Sequence, residues 1–124
     1  MTKIKYILLV LCFPTLLHAG VTIGGSIMIN NNWVPLPDCE GIQVTFEGNV
    51  IIVESQERQI FYLQDYTDIH FNTSGHQQIK SNAIDKEGRR CLIRIVSRYD
   101  IYIEPVIQLY IHYNNIDYVY DIKT

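Results

Sequence analysis

Basic residues are scarce in this chain, with 10 Lys and Arg against 13 Asp and Glu. The one basic group, Arg89 and Arg90 with Lys86 nearby, is diluted by Asp85 and Glu87. Nucleic-acid binding needs clustered cations to neutralise phosphates, so no nucleic-acid partner is expected. Also missing are a GxSxG elbow, a phosphate-cradling glycine loop, a CxxC pair and an HExxH helix. These absences point away from an enzyme and from any cofactor or metal. Long apolar runs are lacking too: the longest, Tyr6 to Leu17, has 12 residues against the ~20 that cross a bilayer as a helix. A membrane-spanning chain is therefore not expected.

That short run has a meaning of its own. It follows Lys3 and Lys5 and precedes the small residues Ala19 and Gly20, the layout of a secretory signal peptide. We expect residues 1–19 to be removed, taking Cys12 with them, and residues 20–124 to form one secreted, extracellular domain. The mature charge would be eight basic against thirteen acidic residues, a mildly acidic surface. A chain of this length buries roughly 65% of its unfolded surface, enough for one modest core.

Cys39 and Cys91 are the cysteines that survive such cleavage. In an oxidising compartment their pairing is expected. Closing a loop of about fifty residues would stabilise the fold by roughly 4 kcal/mol in the chain-entropy model. Two buried free thiols are the plainer alternative. Asn72-Thr73-Ser74 is a glycosylation sequon, which makes Asn72 a candidate glycan site in a eukaryotic source.

The dominant period along residues 20–124 is two, with turn residues at short intervals, which predicts an all-β domain. In IQVTFEGNVIIVES, Ile42, Val44 and Phe46 alternate with polar residues, and Gly48-Asn49 suits a two-residue hairpin. That register sets Phe46 opposite Ile51 and Val44 opposite Val53. A second hairpin is predicted around Asn114-Asn115. It places Tyr113 opposite Ile116, Ile111 opposite Tyr118, Leu109 opposite Tyr120 and Ile107 opposite Ile122, all on one apolar face. On the other face His112 meets Asp117, Gln108 meets Asp121, and Tyr110 lies opposite Val119. Tyr113, Tyr118 and Tyr120 thus read as packing residues, and His112 as a cross-strand partner instead of a catalytic base. Pro105 stands where a strand would begin. Asp85 to Gly88 reads as a turn leading into a strand from about Arg90 to Val96. Between Phe61 and Asn82 the pattern weakens, and NTSGHQQ reads as a loop. Within that stretch Asp65, Asp68, His70 and His76 have the chemistry to ligate a metal or move protons, but without family spacing they read as surface residues. Seven or eight short, mostly antiparallel strands suggest a two-sheet β-sandwich.

With those turns placed, the run DKEG, then a strand, then IEPVIQLYIHYNN resembles the signature of the nematode transthyretin-like family. The matching positions are Asp85, Gly88, Ile103, Glu104, Pro105, Ile107, Leu109, Tyr110 and His112. Nearer the start, GGSIMINNNWVPLPDCEGIQVTF is similar to the family's opening strands, at Gly25, Ile27, Pro35, Ile42 and Val44. The chain departs from the family in its cysteine positions, in Ile111 between Tyr110 and His112, and in a longer stretch from Ile51 to Gln78. The resemblance implies a transthyretin-like sandwich working outside cells as a binding protein, its partner a small hydrophobic ligand, a lipid or a cell-surface protein. A bacterial periplasmic inhibitor or immunity protein is the alternative that the leader and small size suit equally well.

Overall fold

A computed structural model of the chain describes residues 18–71, 77–98 and 106–123. These form nine strands: β1 (His18–Ile29), β2 (Asn32–Pro35), β3 (Gln43–Glu47), β4 (Val50–Glu54), β5 (Gln59–Phe71), β6 (Gln77–Asp85), β7 (Arg90–Arg98), β8 (Val106–His112) and β9 (Asp117–Lys123). The all-β expectation holds, and every pairing is antiparallel.

The sheet runs β2-β1-β3-β4-β5-β6-β7-β8-β9, and β1 also pairs with β9. That last pairing closes eight strands into a barrel, with β2 attached outside it. The two-sheet sandwich is thereby corrected. An alternating strand declares that one of its faces is buried, but not whether that face meets a second sheet or the far wall of its own. Closure rests on β1, whose 12 residues are long enough to pair first with β3 (Val21 with Gln43) and then with β9 (Ile27 with Tyr118). A bulge between Thr22 and Gly24 lies within the β9 pairing, just beyond the residues that pair with β3, and bends the strand there. Strand β1 begins one residue before Ala19, so cleavage there would remove the His18–Phe46 and Ala19–Thr45 pairs.

Both predicted registers are found. Phe46 faces Ile51 and Val44 faces Val53, while Ile107, Leu109 and Ile111 face Ile122, Tyr120 and Tyr118. The turns differ in detail. Gly48 has φ +60° as the β3–β4 hairpin requires, whereas the two-residue turn with both φ positive is Asn30 (50°) and Asn31 (66°), joining β1 to β2. At the β8–β9 end the Tyr113 N–H donates to the Ile116 carbonyl at 2.8 Å. The turn from Asp85 is as expected, with Gly88 at φ +83° and its N–H on the Asp85 carbonyl at 2.9 Å. Strand β8 starts at Val106; Pro105 itself lies outside the described residues.

The weak stretch after Phe61 is a correction: β5 runs on to Phe71 and β6 starts at Gln77. Shifts between Leu63 and Asp65 and between Tyr66 and Asp68 explain why. Each bulge inserts a residue and inverts the alternation beyond it, so a continuous strand loses its period of two.

The barrel interior is filled. Val44, Val53, Leu109, Ile111 and Ile122 are completely buried, with Ile51, Phe61 and Ile93 nearly so. An eight-stranded barrel is just wide enough for side chains to fill it. At one end the filling turns aromatic: Tyr118 meets Tyr120 edge-on with centroids 5.7 Å apart and stacks on Tyr113 at 6.4 Å.

Candidate functional site

That aromatic end opens into a depression of about 800 Å³. Three hairpin connections surround it, after β4, β6 and β8, and its walls include Arg58, Ile60, Lys86, Tyr113, Ile116 and Tyr118. The β4–β5 connection is tied by the Ser55 hydroxyl, which donates to the Glu57 carbonyl at 2.7 Å. Arg58 leans back on Glu54 at 3.3 Å.

Asp85 anchors the opposite side. Its Oδ1 accepts the backbone N–H groups of Glu87 (3.0 Å) and Arg89 (2.8 Å), and its Oδ2 accepts the Arg89 Nε–H (2.9 Å) and the Tyr113 hydroxyl (2.7 Å). The Arg89 guanidinium also lies over the Tyr113 ring, 5.3 Å from its centroid. Burial opposes the Asp85 charge, but the Tyr113 hydroxyl, the two backbone donors and the Arg89 cation outweigh it and hold the carboxyl below its usual range. Burial and the bond to Asp85 push the Tyr113 phenol far up. Tyr118, raised mainly by burial, reaches about 12. Asp85 is thus a saturated carboxylate and Tyr113 a committed donor, which suits a rigid recognition surface better than proton transfer.

Cys39 and Cys91 are both free thiols, so the expected bridge is absent. Cys39 packs against β1, its Sγ 3.1 Å from where a Cβ on Gly25 would lie. Cys91 is on β7 opposite Ala83. Both cysteines border the barrel core, Cys91 as a buried member and Cys39 packed against it. Burial raises the Cys91 thiol to about 11.

Of the other sequence candidates, Asp65, Asp68 and His70 lie on β5, facing Asn82, Lys80 and Gln78 of β6. His76 and the sequon at Asn72 fall outside the described residues. Among the described residues no three His, Cys, Asp or Glu side chains gather to hold a metal ion. No described helix is long and apolar enough to cross a membrane. From the family-like motif, Asp85 lines the mouth and Gly88 lies in the turn that follows it, whereas Tyr110 and His112 lie on the outer wall, His112 donating through Nδ1 to Asp117 at 2.9 Å as its register implied. Sequence reading missed the convergence of Asp85, Arg89 and Tyr113. Its one trace was an aspartate opening a turn that ends in glycine, a pattern typical of turns in general.

No family model matches this chain, and neither a curated protein nor a solved structure matches it.

Proposed function

We propose that this is a secreted, extracellular binding protein whose recognition surface is the open barrel mouth, and whose partner is a protein displayed outside cells. The observation that carries this reading is the contrast between a filled interior and an open end. Val44, Val53, Leu109, Ile111 and Ile122 occupy the space where a barrel of this size would hold a small hydrophobic ligand or a lipid tail. The mouth instead offers Tyr113, Tyr118, Ile60 and the 38% exposed Ile116, rimmed by Glu57, Arg58, Lys86 and Glu87. An aromatic and aliphatic centre inside a charged rim is the anatomy of a protein interface. The signal-peptide pattern supports the compartment. The same mouth would serve an inhibitor or immunity protein, which differs from this reading only in partner and source.

The test is binding of labelled protein to the surface of the source's own cells. Saturable binding is expected, weakened at least tenfold, about 1.4 kcal/mol, by Ile116→Asp and by Lys86→Glu. Absence of binding, or binding that ignores both substitutions, would overturn the mouth as the site.

A further inference from the structure

We propose that the outer wall of β7, β8 and β9, together with the β1–β2 hairpin, is a binding platform for a neutral saccharide. This wall is remote from the barrel interior. By register, Gln108, Tyr110 and His112 of β8 point outward, since Leu109 and Ile111 between them are wholly buried. Three planar groups lie in a row there. The Arg94 guanidinium stacks on the Tyr110 ring, 4.1 Å from its centroid, and Trp33 meets the same ring edge-on at 5.9 Å.

Trp33 comes from β2, the one strand outside the barrel, and must lie across β1 and β9 to reach β8. The outer face of β1 allows this passage because it carries only Gly24 and Ser26 where it faces Asp121 and Val119. Val119 points outward opposite Tyr110 but is only 6% exposed, as expected beneath a covering ring. Trp33 itself remains 41% exposed.

Hydrogen-bonding pairs flank the row on both sides. Gln108 Nε2 donates to Asp121 Oδ1 at 2.8 Å on one side. On the other, Arg94 Nε donates to His112 Nε2 at 3.1 Å, which leaves His112 Nδ1 as the donor to Asp117 Oδ1 at 2.9 Å. Arg94 Nη1 is held by Gln78 Oε1 at 2.9 Å, so the guanidinium is fixed in place. Among the described residues, Arg94 Nη2 and the second oxygens of Asp117 and Asp121 have no partner. The exposed Trp33 ring, backed by Tyr110 and bordered by oriented donors and acceptors, matches a sugar ring, which presents an apolar C–H face and a hydroxyl edge. Beside the rings the Arg94 cation is already engaged by His112 and Gln78 and the Asp117 and Asp121 carboxylates by His112 and Gln108, so an uncharged ligand fits this row best.

Trp33 is the chain's sole tryptophan, so emission excited selectively from tryptophan, at wavelengths the nine tyrosines do not absorb, reports on this wall. Purified protein would be titrated with maltotriose, cellotriose and chitotriose. A saturable change in emission is expected with at least one of them, weakened tenfold or more by Tyr110→Ala and by the milder Asp121→Asn. Ile116→Asp at the mouth should leave it unchanged, which separates this site from the one proposed above. If none of the three sugars produces a saturable change up to about 10 mM, a concentration that detects even millimolar binding, the proposal fails. It fails equally if Asp121→Asn, with an unaltered melting temperature, binds as well as the parent.

Discussion

Replacing Asp85 tests whether one carboxylate holds the mouth together. The side chain is 4% exposed and, besides the Arg89 Nε–H, accepts three bonds that fix the turn and the tyrosine: from the Tyr113 hydroxyl and the N–H groups of Glu87 and Arg89. Hydrogen bonds to a charged acceptor contribute about 1.5–3 kcal/mol each. Discounting for the cost of burying the charge, Asp85→Ala should remove about 3–5 kcal/mol, a large part of the 5–15 kcal/mol typical of a domain. Asp85→Asn keeps one oxygen for the two backbone donors but loses the charge and the bond from Arg89 Nε–H, while the Tyr113 hydroxyl can turn to accept from the new amide, so about 1–2 kcal/mol is expected. The pH dependence supplies the sign. Because the folded carboxyl lies below its usual range, its contribution is complete above the unfolded value of about 3.9 and disappears as pH falls through the folded value. Urea unfolding at pH 7 should therefore separate the parent from Asp85→Asn, and the gap should close towards pH 2. A gap that stays constant over that range, or a loss below about 1 kcal/mol for Asp85→Ala, would refute the reasoning.

The barrel's inner and outer faces can be tested with two tyrosines. Tyr118→Ala removes a ring that faces Ile111 and contacts Tyr113 and Tyr120, and should cost about 3 kcal/mol in a denaturant melt. Tyr110→Ala, on the outer wall, should cost about 1 kcal/mol; equal losses would argue against the register. Thiol titration of the unfolded, unreduced protein should find Cys39 and Cys91 both reactive. In the folded state Cys91, 8% exposed and with its thiol raised to about 11, should react far more slowly than a free thiol; an oxidised pair would refute the two-thiol reading.

The chain's own pattern was enough to specify the class and the hairpins. Alternation at Val44, Phe46, Ile51 and Val53, and again at Leu109, Ile111, Tyr118 and Tyr120, set the registers, because slipping a strand by one residue would turn its apolar face to water. The pairs of His112 with Asp117 and Gln108 with Asp121 followed from those registers without further information. Local signals could not foresee closure. Whether β1 would meet β9 depends on strand length, tilt and one bulge at Thr22 to Gly24, quantities that a period of two does not encode. Bulges in β5 likewise erased the periodicity that would have revealed its full length. The oxidising compartment implied by the leader favoured a bridge between Cys39 and Cys91, yet it says nothing of where the folded chain sets the two thiols, one against Gly25 of β1 and the other opposite Ala83 on β7. Only tertiary structure brought Asp85, Arg89 and Tyr113 to one rim, and Trp33 across to Tyr110. Asp85 and Tyr113, 28 positions apart, meet through the successive pairings of β6, β7 and β8, whereas Trp33 and Tyr110, 77 apart, become neighbours only when β1 pairs with β9.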